Sequence, residues 1–406
     1  MPERRFPEFA AMDGWETAPG NELFQQVNNR QATPGLPILA ITQEHGAIPR
    51  DLIDYHVSVT DHSVETYKEV KPGDFIISLR SFQGGIEYSN YHGICSPAYV
   101  ILRKRVEISD RFYKQHFKSH IFIQQLTRNL EGLRDGKMIS HKQFSELHLL
   151  KPSHLEQEKI ADCLDSADGL IAAQGRKVEA LRAHRKGLMR QLFPQEGETQ
   201  PRLRFPEFQD AGDWKEEKLE DLAKRGSGHT PNKTIDEYYN GGIKWVSLAD
   251  SKRLDKGLIS ETSIVISEKG IKNSSAVLHP AGSVILSRDA GVGKSAVISE
   301  PMAVSQHFIV WNCDNRRLSN WFLYYILQIK KPVFESVASG STIKTIGLPF
   351  FKALRILVPQ VKEQQRIAEC LTRLDDIITA QTQKLDTLKA HKKGLMQQLF
   401  PSIGEV

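Results

Sequence analysis

The sequence predicts an α+β protein: two globular domains separated by two long helices that pair antiparallel as a coiled coil, with an internal pseudo-two-fold repeat. Three observations predict it. Residues 156–193, EQEKIADCLDSADGLIAAQGRKVEALRAHRKGLMRQLF, return without a gap as residues 363–400, EQQRIAECLTRLDDIITAQTQKLDTLKAHKKGLMQQLF, each position 207 further on. Within both copies apolar residues step by four and three, the spacing of a helical seam. Before each copy runs a longer stretch of alternating, β-branched segments bounded by glycine, the pattern of strands and hairpins. The expected division is a globular domain in 1–152, a helical spacer in 153–200, a second globular domain in 201–359 and a second spacer in 360–406.

Length and composition agree with this. A chain of 406 residues exceeds what one hydrophobic core usually serves. Hydrophobic residues at 40% and charged residues at 25% are the proportions of a soluble globular protein. No run approaches the roughly 18 apolar residues of a membrane span. The opening MPERRFPEF carries no apolar signal region, so no membrane partner and a cytoplasmic location are expected. A formal net charge of +5 permits a polyanionic partner without demanding one. Cys95, Cys163, Cys313 and Cys370 form no CxxC pair, so neither a zinc site nor a disulfide framework is expected.

In chain order, Arg5-Phe6-Pro7-Glu8-Phe9 with Trp15 and Leu23 is answered by Arg204-Phe205-Pro206-Glu207-Phe208 with Trp214 and Leu222, at an offset of 199. Gly73 to Ser78 matches Gly282 to Ser287, and Ser96 to Val100 matches Ser305 to Ile309, at an offset of 209. Both pairs read as strands. Ile139, Phe144, Leu147, Leu150 and Pro152 match Ile346, Phe351, Leu354, Leu357 and Pro359 at 207. Between these anchors, residues 30–70 and 229–272 share no pattern. Two unrelated inserts on one duplicated scaffold are what two recognition surfaces with different targets require. Gly84-Gly85 and Gly241-Gly242 read as turn punctuation.

The repeated helices carry a seam of Ile160, Leu164, Ile171, Gln174, Val178, Leu181 and Leu188, answered by Ile367, Leu371, Ile378, Gln381, Leu385, Leu388 and Leu395. A spacing of about 3.5 residues is that of a coiled coil. Pro152 and Pro359 precede the helices, and Pro194 and Pro401 stop them. The linked partner has a high effective concentration, which favours pairing within the chain. Carboxylates gather in the first halves and Lys/Arg in the second, so an antiparallel pair sets opposite charges together. Gln174 and Gln381, each at the middle of its helix, are expected to face one another. Each helix would be roughly 57 Å long at about 1.5 Å per residue. That spans roughly 17 base pairs at about 3.4 Å each.

This order, with the EQxxIAxxL opening, the KKGLMQQLF closing, the RFPEF start and GHTPNKTIDEYYNGGIKWVSLAD in 228–250, resembles the specificity subunit of type I restriction-modification systems. The resemblance covers essentially the whole chain. It implies two target-recognition domains, 1–152 and 201–359, each reading half of an interrupted double-stranded DNA sequence. It implies two helical spacers that pack antiparallel and set the gap. The implied partners are two copies of a modification subunit, which methylates adenine with S-adenosylmethionine, and restriction subunits in the full complex. It implies no catalysis and no cofactor in this chain.

The residues agree. Gly291-Val292-Gly293-Lys294-Ser295 resembles the end of a phosphate loop, but the position five before Gly293 is Arg288, so a hairpin turn is expected instead. No GxGxxG follows a strand, no HExxH is present, and no Asn-Pro-Pro-aromatic tetrapeptide suited to a flipped adenine occurs. DNA contact calls for Lys/Arg at phosphates, and for Arg, Lys, Asn or Gln on exposed loops at base edges. The candidates in the first domain are Arg30, Gln31, Arg80, Gln83, Asn90, Arg134 and Lys137. In the second they are His229, Thr230, Lys233, Lys244, Arg288, Lys294, Ser341 and Lys344. Arg80 and Arg288 each follow a matched strand, and Lys137 and Lys344 are aligned at 207. Two-fold related helices would offer matching surfaces to two copies of one protein, and the first and last residues should lie close together. The competing reading is a coiled-coil scaffold with two protein-binding heads.

Overall fold

A computed structural model describes residues 2–30, 35–53, 66–128, 139–340 and 344–401. The candidates Gln31, Arg134, Lys137 and Ser341 lie outside these residues. The chain mixes helix and strand and forms two compact units. One comprises Met1–Gly175 with Gln383–Val406, and the other Arg176–Thr382. The boundary cuts both long helices, His154–Leu192 and Val361–Leu399, near their middles.

The first unit is built on an antiparallel sheet in the order Phe24–Val27, Val100–Lys104, Phe75–Ile77, Glu87–Tyr88. Of its central strands, Phe75–Ile77 is apolar throughout and Val100–Lys104 over its first three residues, because both faces are covered there. Phe75, Ile77, Val100 and Leu102 enter the larger core with Phe24, Phe112 and Phe117. Ile76 and Ile101 point to the opposite face, where Leu39, Ala47, Val70 and Cys95 cover them. The helix Asp110–His116 packs beside the larger core. It starts at Ser109, whose hydroxyl accepts the Phe112 N–H at 3.3 Å. Arg111 on that helix reaches Glu158, Asp162 and Asp165 of the first long helix at 3.3, 2.7 and 2.8 Å.

The beginning of the first long helix and the end of the second meet in this unit. Ile160, Ala161, Leu164, Leu399 and Phe400 share one core, and Lys392 Nζ lies 2.7 Å from Asp168. Asp168 is the deeper position along the first helix and Lys392 the earlier one along the second. The segments therefore run in opposite directions. The Arg4 N–H donates to Gln398 O at 3.0 Å, so the two ends of the described chain are neighbours, as expected from the repeat.

The second unit repeats this plan in its sheet register and in the contacts that anchor the long helices. Its sheet has the order Ala223–Ser227, Phe308–Cys313, Val284–Ser287, Ser295–Ile298, with Leu258–Ile259 added in parallel at the edge. Phe75 opposite Leu102 becomes Val284 opposite Trp311, and Phe24 opposite Lys104 becomes Ala223 opposite Cys313. Glu16 opposite Lys151 becomes Lys215 opposite Val358. Arg5 grips the buried Glu156 at 2.7 Å through two nitrogens, and Arg204 grips the buried Glu363 at 2.8 and 2.7 Å. Gln157 and Gln364 each accept the N–H of Ser109 and Ser319 at 2.9 Å, anchoring the first turn of either helix. Met189, Leu192 and Phe193 from the first long helix join Ile367, Ala368 and Leu371 of the second in one core. Arg185 forms an ion pair with Asp375, to which the Tyr325 hydroxyl donates at 2.9 Å.

Along both helices the named seam residues are buried or half-buried, as are several neighbours outside the seam such as Ala161, Met189 and Ala368. Ile160, Leu164, Gln174, Val178, Ile367 and Leu371 are buried. Ile171, Leu181, Leu188, Ile378, Gln381, Leu385, Leu388 and Leu395 are half-buried.

The units differ in their inserts. In the second, a further sheet has the order Ile264–Ile266, Tyr239–Val246, Met302–Val304, Leu278–His279. Gly241-Gly242 does not end a strand, as its turn-like composition suggested. It sits inside Tyr239–Val246, where Tyr239 and Ile243 both lie opposite Ile266. That is a bulge, which absorbs the extra residues by local bending. Gly85, by contrast, terminates the short helix Ser81–Gly84 with φ at 80°.

Candidate nucleic-acid interface

In the second unit the sequence candidates fall around two clefts. Val284–Ser287 and Ser295–Ile298 pair antiparallel, so the GVGKS segment is a hairpin connection, as expected from its incomplete phosphate-loop pattern. Gly291 and Gly293, with φ at 105° and 82°, make the reversal without Cβ strain. Lys294 from this tip and Lys344 line one cleft of about 640 Å³ with Lys331 and Glu335. Lys294 Nζ donates to Ser251 O at 3.2 Å, and Lys331 is held by Asp255 at 2.7 Å. Three ammonium groups against one or two carboxylates make this a basic recess suited to a phosphate backbone.

Thr230 and Lys233 line a different pocket with Tyr239, Trp245, Gln306 and His307. The insert sheet supplies Tyr239 and Trp245, and the turn before Phe308–Cys313 supplies Gln306 and His307. Thr230 donates to Gln306 Oε1 at 2.5 Å. His307 Nδ1 is 2.8 Å from Asp289 Oδ2. The exposed His229 fixes its backbone twice: its N–H donates to Val304 O at 3.0 Å, and its carbonyl accepts Trp245 Nε1–H at 3.1 Å.

Arg288 stands at the end of the strand that leads into the hairpin. Its N–H donates to His307 O and its carbonyl accepts the Ile346 N–H, both at 2.9 Å. Its buried Nε has no hydrogen-bond partner, which leaves a donor for an incoming acceptor. Lys244 is already engaged. Its Nζ lies 2.6 Å from Glu300 and 3.3 Å from Glu261. The hydrogen bond to Glu300 raises its pKa above the ordinary lysine value.

In the first unit Arg30, Arg80, Gln83 and Asn90 are all exposed. Arg80 and Gln83 belong to one turn, since the Gln83 N–H donates to Arg80 O at 2.9 Å. Arg30 follows the strand Phe24–Val27, and Asn90 follows Glu87–Tyr88. Asn29 and His92 beside them converge on Glu69, at 2.5 and 2.8 Å. The hydrogen bond with His92 is the main cause that holds the Glu69 carboxyl below its usual range.

Gln306, His307 and Lys331 are site-lining residues that sequence reasoning did not select. For the first two a signal existed: they occupy the places of Pro97 and Ala98 in the repeat, a polar departure inside an otherwise matched anchor. Lys331 had none. Among the described residues no group of three or more His, Cys, Asp or Glu side chains is placed to hold a metal ion. No described helix is long and apolar enough to cross a membrane.

Residues 211–390 match the family model described as the type I restriction modification DNA specificity domain. The type I restriction enzyme MjaIX specificity subunit of Methanocaldococcus jannaschii is 28% identical over 190 residues, covering 46% of this chain and 44% of the relative. The putative MjaX specificity subunit of the same organism is 23% identical over 291 residues, covering 70% of this chain and 65% of the relative. The chain thus aligns with less than half of one relative's length and about two thirds of the other's. A crystal structure of the type I restriction-modification S subunit from M. genitalium superposes with a TM-score of 0.59 over 100% of both chains at 14% identity, a likeness of fold. Residues 211–390 thus carry a type I restriction modification DNA specificity domain, and the chain is similar to the specificity subunits of type I restriction enzymes.

Proposed function

We propose that this chain is the non-catalytic DNA-specificity subunit of a type I restriction-modification complex, reading an interrupted, asymmetric site. The observation that carries the proposal is the specificity-domain match in residues 211–390 on a scaffold that occurs twice with two different inserts. Residues 1–152 read one half-site and residues 201–359 the other. Arg30, Arg80, Gln83 and Asn90 serve the first, with Gln31, Arg134 and Lys137 as further candidates. His229, Thr230, Lys233, Arg288, Lys294 and Lys344 serve the second, with Lys244 and Ser341 in support. Residues 153–200 and 360–406 form an antiparallel coiled pair that fixes the gap.

Two copies of a modification subunit carry the adenine methylation and its S-adenosylmethionine, and restriction subunits complete the assembly. This chain needs no cofactor of its own. Leu170 and Ile377, repeat equivalents outside the seam, are 60% and 48% exposed, which supports two like docking surfaces. Work on cellular DNA in this role sets the protein in the cytoplasm.

The test uses the full chain with its modification subunit and a duplex carrying the site located by adenine methylome sequencing. Scrambling either half-site should abolish the mobility shift, and equal binding after scrambling either half overturns the proposal. Lys294→Ala and Lys344→Ala should weaken binding across sequences and lower the salt slope by about 1 for each lysine.

A further inference from the structure

The pocket beside the insert sheet of the second unit has features that phosphate contact does not use. Its volume is about 590 Å³, within the range of about 300–1,000 Å³ typical of small-ligand sites. Tyr239, Trp245, Leu248 and Ile264 give it an aromatic and aliphatic lining. The ring positions are fixed, since Tyr239 OH donates to Pro231 O at 2.7 Å and Trp245 Nε1 to His229 O at 3.1 Å. Ser305 is different. It lines the same pocket, is 1% exposed, and its buried hydroxyl has no hydrogen-bond partner. Its backbone is secured by an N–H bond to Val246 O at 2.9 Å, so the hydroxyl is not needed for that anchorage.

Asn240, also on the lining, holds a left-handed backbone with φ at 58°, a conformation that costs a non-glycine residue free energy. An unsatisfied buried hydroxyl and a strained residue in one pocket are both unfavourable for the free protein. Such features gather where a ligand supplies what is missing.

We propose that this pocket seats one nucleobase, unstacked from the half-site that the second unit reads, against Tyr239 and Trp245 with Ser305 Oγ at its hydrogen-bonding edge. The inference rests on the DNA-recognition reading above. A base offers a flat π face and a polar rim, matching an aromatic wall with one buried hydroxyl that both donates and accepts. Lys233 at the same pocket suits the phosphate of the displaced nucleotide. A free nucleoside has the same chemistry, and the arms of the test separate the two sources.

The experiment uses the full chain with its modification subunit and duplexes carrying the methylome-defined site. Each base of the second unit's half-site is mispaired in turn by changing only the opposite strand. At one position mispairing should tighten binding about ten-fold, because an unpaired base leaves the stack at lower cost. Ser305→Ala should weaken binding of the matched duplex about five-fold without lowering the unfolding temperature, and should raise it slightly, since it removes a buried hydroxyl that bonds nothing in the free protein. Tyr239→Ala should weaken it about ten-fold through lost stacking, and both variants should lose the preference for the mispaired position. Sequence-specific binding with no mispair effect and unaltered affinity in both variants overturns this proposal and leaves the DNA-recognition reading standing. Absence of sequence-specific binding by the unaltered complex overturns that reading itself. Deoxynucleoside binding that Ser305→Ala removes, without any mispair effect, overturns the DNA source.

Discussion

Among the described residues, His116 is the buried side chain with both of its polar atoms left without a hydrogen-bond partner. It is 1% exposed and ringed by Phe112, Tyr113, Phe117, Phe122 and Phe400 at centroid distances of 5.2 to 6.1 Å. Neither ring nitrogen has a hydrogen-bond partner. Burial pushes its pKa down to about 3. Below its ordinary pKa of about 6.5, the unfolded chain therefore takes a proton that the folded one refuses. The stability that depends on neutral His116 is present above pH 6.5 and drains away as pH falls toward 3. The slope approaches ~1.4 kcal/mol per pH unit. His116→Phe should flatten this part of the profile. It should also raise stability at neutral pH by ~1 kcal/mol, because two unsatisfied nitrogens leave the core. Amide hydrogen exchange in Asp110–His116, followed from pH 7 to pH 4, reads this locally, and parallel profiles for the two proteins would contradict it. Four of the enclosing rings lie within six residues of His116, but the fifth, Phe400, comes from the far end of the chain, so closure of the cage is not a local pattern. Arg5 and Arg204 were legible only as part of the repeated RFPEF motif. Their grip on Glu156 and Glu363 depends on residues about 150 positions away, which no local pattern records.

At the scale of elements, the two interhelix ion pairs test the repeat. Asp375 is the counterpart of Asp168 at the offset of 207, and Lys392 is the counterpart of Arg185. Asp168 with Lys392 in the first unit and Asp375 with Arg185 in the second are thus one contact made twice with the roles of the helices exchanged. Asp168 and Lys392 are 39% and 19% exposed, so solvent screening limits the pair to ~0.5–1 kcal/mol. Asp168→Lys should lower the unfolding temperature by setting two ammonium groups together, and adding Lys392→Asp should recover most of the loss. Additive losses in the double variant would mean that these positions do not face each other. The long helices were readable because Pro152, Pro194, Pro359 and Pro401 bracket an uninterrupted four-and-three spacing. The paired strands were readable because Gly73 to Ser78 and Gly282 to Ser287 keep the same apolar run. The insert sheet was not, since Asn240-Gly241-Gly242 has turn composition and the bulge that accommodates it depends on pairing with Ile264–Ile266. For the same reason Thr230 and Lys233 were visible as polar loop residues, whereas the wall they share with Tyr239 and His307 required the fold.

At the scale of the whole molecule, the first compact unit joins two separate pieces of chain, and the second runs unbroken from Arg176 to Thr382 across the boundary between the two repeats. The first unit takes Leu399 and Phe400 into its core from the far end of the sequence, with Phe400 5.6 Å from Phe112 and 5.4 Å from His116. The second takes Met189, Leu192 and Phe193 from the first half. The closing segments are nearly interchangeable: GLMRQLF at 187–193 and GLMQQLF at 394–400 differ at one position. Their main-chain anchors match as well, with Arg4 N–H to Gln398 O at 3.0 Å and Leu203 N–H to Gln191 O at 2.9 Å. A fragment of residues 1–200 lacks the piece that completes its own core but carries a close copy of it. Two such fragments can complete each other, each placing Leu192 and Phe193 where Leu399 and Phe400 normally sit, and Arg185 beside Asp168 in place of Lys392. The fragment should therefore sediment as a dimer whose unfolding temperature rises with concentration. Leu192→Ala with Phe193→Ala should return it to an unstable monomer, since truncating a buried phenylalanine alone costs about 3–5 kcal/mol. A folded monomer with the stability of the full chain would show that residues 383–400 are dispensable to the first unit.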